Sequence, residues 1–277
     1  MSTTIDQAFT KQFEREVHEA YQRQGSKLRN TVRTISNVNG SSAVFQKVGK
    51  GTASTKSTHG MVPVMNLDHT NVEVDLSDFY AGDWVDRLDE LKTNIDERQV
   101  IAGAGAHALG RKTDELIIGA LEDAATHTIV DGNIGMTKDK ILEAFETFGE
   151  NDVPDDGQRY CIVGWKQWSD LLAIEEFVNA DYIGLDALPF ATITQAKMFL
   201  GTLYIPHSGL PLDENDVRSC FYYHKTSVGH ASASDVQTDI SWHGDRAAHF
   251  VNNMMSQGAG LIDESGIVTI NCDETPD

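Results

Sequence analysis

The 277-residue chain is long enough to enclose a sizeable core in one large or two smaller domains. Its 40% hydrophobic and 23% charged content is that of a folded protein, and no apolar run approaches the ~18 residues that a membrane span needs. A net charge of −20 excludes a surface that binds nucleic acid at large, because phosphate affinity comes from clustered Lys and Arg. The charge is uneven: residues 1–50 hold eight Lys/Arg and four Asp/Glu, the remainder 14 bases and 38 acids. A basic arm thus precedes an acidic body, able to dock on acidic neighbours or to lie near nucleic acid.

Residues 4–22 are predicted to form an amphipathic helix, with Ile5, Phe9, Phe13, Val17 and Tyr21 on one stripe and Gly25 as its stop. Such a stripe needs a partner surface, either its own body or a neighbouring subunit. Residues 43–76 read as a long β-hairpin. Ala43–Val48 is one strand, Gly49–Gly60 a Gly/Ser/Thr/Lys tip, and Met61–Leu76 a return with alternation at Val62, Val64, Val72, Val74 and Leu76. An extended arm of this kind is poorly stable alone and makes sense on another subunit; a plain loop is the competing reading.

The stretch from Ser77 to Ala125 is an acidic, aromatic-rich turn leading into an interrupted helical pattern. Asp83–Leu91 suggests a short helix with Trp84, Leu88 and Leu91 on one face. Thr93 and Asp96 resemble a capping box for a longer helix through Val100, Ile101, Leu109, Leu116, Ile117 and Leu121. Gly103, Gly105 and Gly110 each cost ~1 kcal/mol relative to Ala there, so close backbone packing or a bend is expected. Thr137–Phe148 is a helix ended by Gly149, and the acidic loop NDVPDDG follows. Tyr160–Val163 is a buried strand, Trp165–Phe177 a helix, and Leu203–Pro206 another strand, which together suggest an α/β lobe over about 135–215. Beyond Pro211 the strand candidates are Phe221–Thr226, Val236–Trp242, Ala247–Met254 and Ile267–Asn271, with 246–256 compatible with helix as well.

No catalytic set emerges. Gly105–Thr113 (GAHALGRKT) nearly matches the phosphate-binding GxxxxGK[ST] loop, but Arg111 displaces the lysine and the preceding residues are helix-like. His224, His230 and the His243/Asp245/His249 group lack any zinc-site spacing and read as ordinary surface or partly buried histidines. Ser208 and Ser265 lack the GxSxG elbow, and Cys161 has no recognisable partner in sequence. Cys161, Cys220 and Cys272 are far apart, with no CxxC pair, and read as reduced buried thiols in a cytoplasm. The many Asp and Glu are spread along a solvated face. Trp84, Trp165, Trp168 and Trp242 are not interleaved with Lys or Arg, so they read as core or interface anchors. No residue is assigned a catalytic, cofactor-binding or metal-binding role. MSTTIDQAF lacks the basic start and apolar stretch of a signal peptide, which places manufacture inside a cell.

The order of these parts resembles the major capsid proteins of tailed bacteriophages, of the Hong Kong 97 type. DELIIGAL at 114–121 is similar to the family's spine helix, and RYCIVGWKQWSDLL at 159–172 and GTLYIPHSGLP at 201–211 to its axial domain. HFVNNMMSQGAGLIDESGIVTI at 249–270 is similar to its closing peripheral strands. The resemblance implies an α+β fold with an N-terminal arm (1–42), an extended loop (43–76), a peripheral domain with spine helix (77–134 and 221–277) and an axial domain (135–220). It further implies a structural protein, not an enzyme. Copies would form hexamers and pentamers that tile an icosahedral shell around double-stranded DNA, assembled in the host cytoplasm as part of the virion. The implied partners are itself, a separate scaffolding protein, a portal and a decoration protein, with DNA only in non-specific proximity and no membrane. Residues 1–42 are too short for the built-in scaffold of some relatives, unless the chain is a processed form. Lys47, Lys50 and Lys56 lie where some relatives crosslink, yet nothing marks an acid or acceptor. Deleting 1–33 is expected to block assembly while leaving a folded monomer. The alternatives are an encapsulin-like nanocompartment shell, a metal-dependent hydrolase built on 135–277, and a tail or adhesion component.

Overall fold

The computed structural model describes residue 23 and residues 25–90, 96–124, 126–178 and 197–275. The helix expected over 4–22 and the Thr93 cap lie outside the described residues. In chain order come β1 (Arg33–Ser36), β2 (Ser42–Val48), β3 (His69–Asp75), β4 (Ser77–Asp86), the short helix α1 (Arg87–Glu90) and the 26-residue α2 (Glu97–Glu122). Then follow β5 (Thr128–Ile129), α3 (Lys138–Glu150), β6 (Arg159–Val163), α4 (Trp165–Ala173), α5 (Glu175–Val178), β7 (Lys197–Phe199) and β8 (Thr202–Pro206). Strands β9 (Val217–His224), β10 (Val228–His243), β11 (Ala248–Leu261) and β12 (Ile267–Asp273) complete the chain.

The chain forms two compact units. Among the described residues, one is built on Asp78–Arg111 and Asp235–Met255, and the other on Ser26–Ser77, Lys112–Ser234 and the chain from Ser256 onward. The larger unit is built on a six-stranded mixed sheet of order β5-β12-β9-β6-β8-β7. β6 runs parallel to β8 and β5 parallel to β12, while β9 is antiparallel to both of its neighbours. This mixture, with helices and sheets both prominent, makes the fold α+β. The sheet is buried because β6 and β9 carry apolar residues at successive positions: Cys161, Ile162 and Val163, and Cys220 through Tyr223. Helices α3 and α4 cover it with Ile141, Ala144, Phe148, Trp168 and Leu171. Phe148 meets Tyr222 edge-on at 4.6 Å, a favoured aromatic geometry.

In the smaller unit, β4 supplies Trp84 to a cluster with Phe250 (4.6 Å between ring centroids) and His243 (5.0 Å). The residues of α2 from Glu97 to Arg111 belong to this unit. A Cβ at Gly105 would overlap the Asn253 amide and the Ala81 carbonyl, so glycine there permits close approach of helix to strand.

Several expected elements differ. Asp83–Leu91 is not one helix: β4 continues through Asp86, and only Arg87–Glu90 is helical. Strand geometry sends Val85 into the interior while Trp84 packs on the opposite face, an arrangement a helix denies to adjacent residues. The return of the hairpin is paired only over His69–Asp75, since β2 offers seven positions and the Gly49 N–H to Asp68 carbonyl bond closes the ladder. Val62 and Val64 therefore lie outside any strand. The helix from Trp165 breaks at Ile174, whose ψ of 118° is extended, to give α4 and α5. Helix α3 is capped by Thr137 as expected, but runs through Gly149. Its stop is Asp152, at a left-handed φ of 55°, with Val153 N–H returning to the Phe148 carbonyl. Residues 248–256 are strand, within β11.

Candidate assembly surfaces

The β2–β3 hairpin has a fixed root. Phe45 is fully buried, and its ring fills the space above Gly229 of β10; Val74 does the same over Gly260 of β11. With Ala43, Ala231 and Ile262 these residues form a second, small core. Lys47 pairs with Asp263 at 2.9 Å, half-exposed, and Lys50 with Asp152 at 3.0 Å, fully in solvent. Burial opposes ionisation of Asp263, but bonds from Ser265 and Lys47 outweigh it and hold its carboxyl below the usual range. Beyond the root, residues 51–57 and 60–68 have no regular structure. This loop presents Met61 (95% exposed), Val62, Val64 and Met65 to solvent. Four adjacent exposed apolar side chains on a polar loop mark an interaction surface, since burying each is worth about 1.5–3 kcal/mol.

The smaller unit carries a second exposed set. Tyr80, Ile240 and Trp242 are each 45% exposed or more. Arg246 stacks on Trp84 at 4.4 Å and Arg87 on Trp242 at 5.7 Å, so the cations cover part of the ring faces.

Two buried polar centres hold the larger unit in shape. Asp114 of α2 accepts hydrogen bonds from Ser26 Oγ (2.6 Å), the backbone N–H groups of Lys27 and Leu28 (3.1 Å each), and His207 Nε2 (3.1 Å). The His207 Nδ1 accepts from Gly209 N–H, so the imidazole is the neutral Nε2–H tautomer. Burial opposes the Asp114 charge, yet His207, Ser26 and the two backbone donors prevail and keep the carboxyl below the usual carboxylate range. This centre ties residues 26–28 to α2 and to the end of β8. The second is Lys140 of α3, 5% exposed, whose ammonium lies within 2.8–3.0 Å of the carbonyls of Asp131, Ile134, Gly135 and Asn271. It closes the tight turn after β5, where Gly132 and Asn133 both take left-handed φ, onto the end of β12.

The candidates for chemistry are dispersed. Gly105–Thr113 lies wholly inside α2, where backbone N–H groups are committed to the helix and none can cradle a phosphate. Lys112 pairs with Glu115, and Thr113 donates to Gln257 at 2.8 Å. His224 bonds Asp156 and Thr226, and His230 donates from Nε2 to Gln257. His243 and His249 lie in the other unit, edge-on to Trp84 and Trp242. Among the described residues no three His, Cys, Asp or Glu side chains group as a metal set. Ser208 adjoins His207, but both ring nitrogens of that histidine are engaged, leaving none to activate a hydroxyl. Ser265 Oγ donates to Asp263. Cys161 is fully buried, and desolvation pushes its thiol pKa up, away from nucleophilic chemistry. Trp168 is a core residue, whereas Trp165 is half exposed. Sequence reasoning missed Asp114, His207 and Lys140. The first two are 93 positions apart and carry no local signature.

Among the described residues the candidates for chemistry are thus kept apart, while apolar side chains are exposed on the loop and on the smaller unit. The phage capsid protein family matches residues 5–274 of the sequence. The chain belongs to that family. Solved structures agree in fold. This capsid protein superposes on a Mycobacterium phage Che8 chain with a TM-score of 0.74 at 15% identity, over 96% of this chain and 97% of that one. For the capsid of cyanophage P-SCSP1u the TM-score is 0.75 at 16% identity, with 99% and 96% covered. For the capsid of Ralstonia phage GP4 it is 0.71 at 12% identity, over the whole of both chains. No curated protein matches the sequence. The α+β fold and the family agree with the resemblance read from the sequence, and the capsid protein is a structural component of the virion.

Proposed function

We propose that copies of this capsid protein associate as hexamers and pentamers that tile an icosahedral shell around double-stranded DNA. In this reading residues 1–42 are the N-terminal arm, 43–76 the extended loop, 77–134 and 221–277 the peripheral domain, and 135–220 the axial domain. The observation that carries the reading is the hairpin. Its root is locked by Phe45 and Val74, and its loop holds Met61, Val62, Val64 and Met65 in water. Such a loop gains stability only by lying on another copy. The acidic body suits a container for DNA, because like charge keeps the polymer from adhering to the wall. Assembly in the host cytoplasm with a separate scaffolding protein, a portal and a decoration protein completes the proposal, and it calls on no catalysis.

The test is electron microscopy with light scattering on the full chain, expressed alone and with its genomic neighbours. Closed uniform shells, or free hexamers and pentamers, are the expected result. A small monomer or dimer under every condition overturns the reading. The combined variant Met61→Ser, Val62→Ser, Val64→Ser, Met65→Ser is expected to stay folded and to give neither rings nor shells.

A further inference from the structure

The larger unit has a cleft of about 520 Å³ lined by Asn30, Val32, Arg33, Thr34, Gln158, Lys225 and Thr226. The lining holds two cations and no acid, in a chain with 42 acids and 22 bases. The other polar side chains there are amides and hydroxyls, of which Gln158 donates to Asp156, Thr34 to the Arg29 carbonyl and Thr226 to His224, so the two cations carry the attraction for an anion. The acid next to it is already occupied: Asp156 accepts from His224 and from the Gln158 backbone and side chain. Arg33 is exposed, with its guanidinium 5.6 Å from the centre of the Phe45 ring and one N–H directed at the Gln46 carbonyl (3.5 Å), contacts that hold its charge at the surface. Among the described residues no carboxylate pairs with the half-buried Lys225 side chain. Arg33 also opens β1, the edge strand of the sheet β1-β10-β11-β4, which is paired on its β10 side. A segment entering the cleft therefore meets two cations beside β1, which among the described residues is paired with β10 alone.

We propose that this cleft is a carboxylate-binding site whose occupant is an acidic segment of a second copy of the chain. The proposal rests on the shell-forming reading above. Charge complementarity selects the occupant: where copies of a chain of net charge −20 meet, carboxylates are the anions presented, and this cleft is a place that attracts them.

The experiment mixes ¹⁴N- and ¹⁵N-labelled full-length protein, assembles it, treats shells and free subunits with a carbodiimide, and maps amide crosslinks by mass spectrometry. A parallel sample measures acetylation of Lys225. In shells, Lys225 is expected to join an Asp or Glu of the other isotope, and its acetylation to slow about tenfold relative to free subunits; Arg33→Gln with Lys225→Gln is expected to raise the concentration for half-assembly about tenfold. An unchanged melting temperature for that variant separates this effect from misfolding, as both side chains lie at the surface. Equal Lys225 reactivity in shells and subunits, with no crosslink between copies, overturns the proposal. Protection found only in nucleic-acid-filled shells also overturns it and assigns the cleft to phosphate. Failure of the unaltered chain to assemble instead removes the parent reading, and this proposal with it.

Discussion

The six-stranded sheet and the β2–β3 hairpin are made from similar material and reach opposite states. In the sheet, apolar residues at consecutive positions of β6, β9 and β12 are covered on both faces, and Tyr204, Tyr222 and Tyr223 are fully buried. In the hairpin, only Ala43, Phe45 and Val74 are buried, while Val44 and Val48 are half exposed and the loop beyond leaves its methionines and valines in water. The sheet is complete within one copy. The hairpin is complete only at its root, so its free end is where stability and assembly separate.

The largest expected effect lies in the sheet. Phe148→Ala removes a fully buried ring from Tyr222 and is expected to cost about 3–5 kcal/mol in chemical denaturation, enough to unfold a marginal domain. Lys140→Met follows. It leaves four carbonyls without their ammonium, and a loss of ~3 kcal/mol is expected, with faster hydrogen exchange in residues 130–136. Asp114→Asn is expected to cost ~2 kcal/mol at neutral pH. Because the folded carboxyl is held below its ordinary value of 3.8, its contribution is present above that value and lost as pH falls through the folded pKa. The gap between parent and variant melting temperatures should thus be full above about pH 4 and narrow as pH falls below it; a gap that does not narrow on acidification breaks the assignment. The smallest expected effect on folding is in the loop. Val62→Ser with Val64→Ser is expected to change stability by less than ~0.5 kcal/mol while reducing shell yield. A large loss of stability in that variant would mean the hairpin is already complete in one copy.

Legibility in the sequence followed the same division. Strands β2, β6 and β8 and helix α3 were readable because their patterning is local: Thr137 is a cap, and the valines and aromatics of β6 form an apolar run. Strand β4 was misread because Trp84 and Leu88 fall at helical spacing, and only the contact with Phe250 explains the strand. The first half of β10, Val228–Asp235, falls between two strand candidates and its Gly, Ala and Ser residues carry no strand signal. Those small residues are needed because the Phe45 ring sits on Gly229, a contact between positions 184 apart that no window can reveal. Asp114 and Lys140 were not legible, since the first depends on residues 26–28 and 207 and the second on residues 131–135 and 271.

The Lys140 ammonium occupies the kind of carbonyl nest in which a free potassium or ammonium ion is bound elsewhere in chemistry. Tethering that charge to α3 removes it from mass action: its local concentration is set by four methylenes, not by the medium. Dilution, dialysis and chelators cannot extract it, so the turn it closes keeps its shape in any ionic environment that leaves the helix intact.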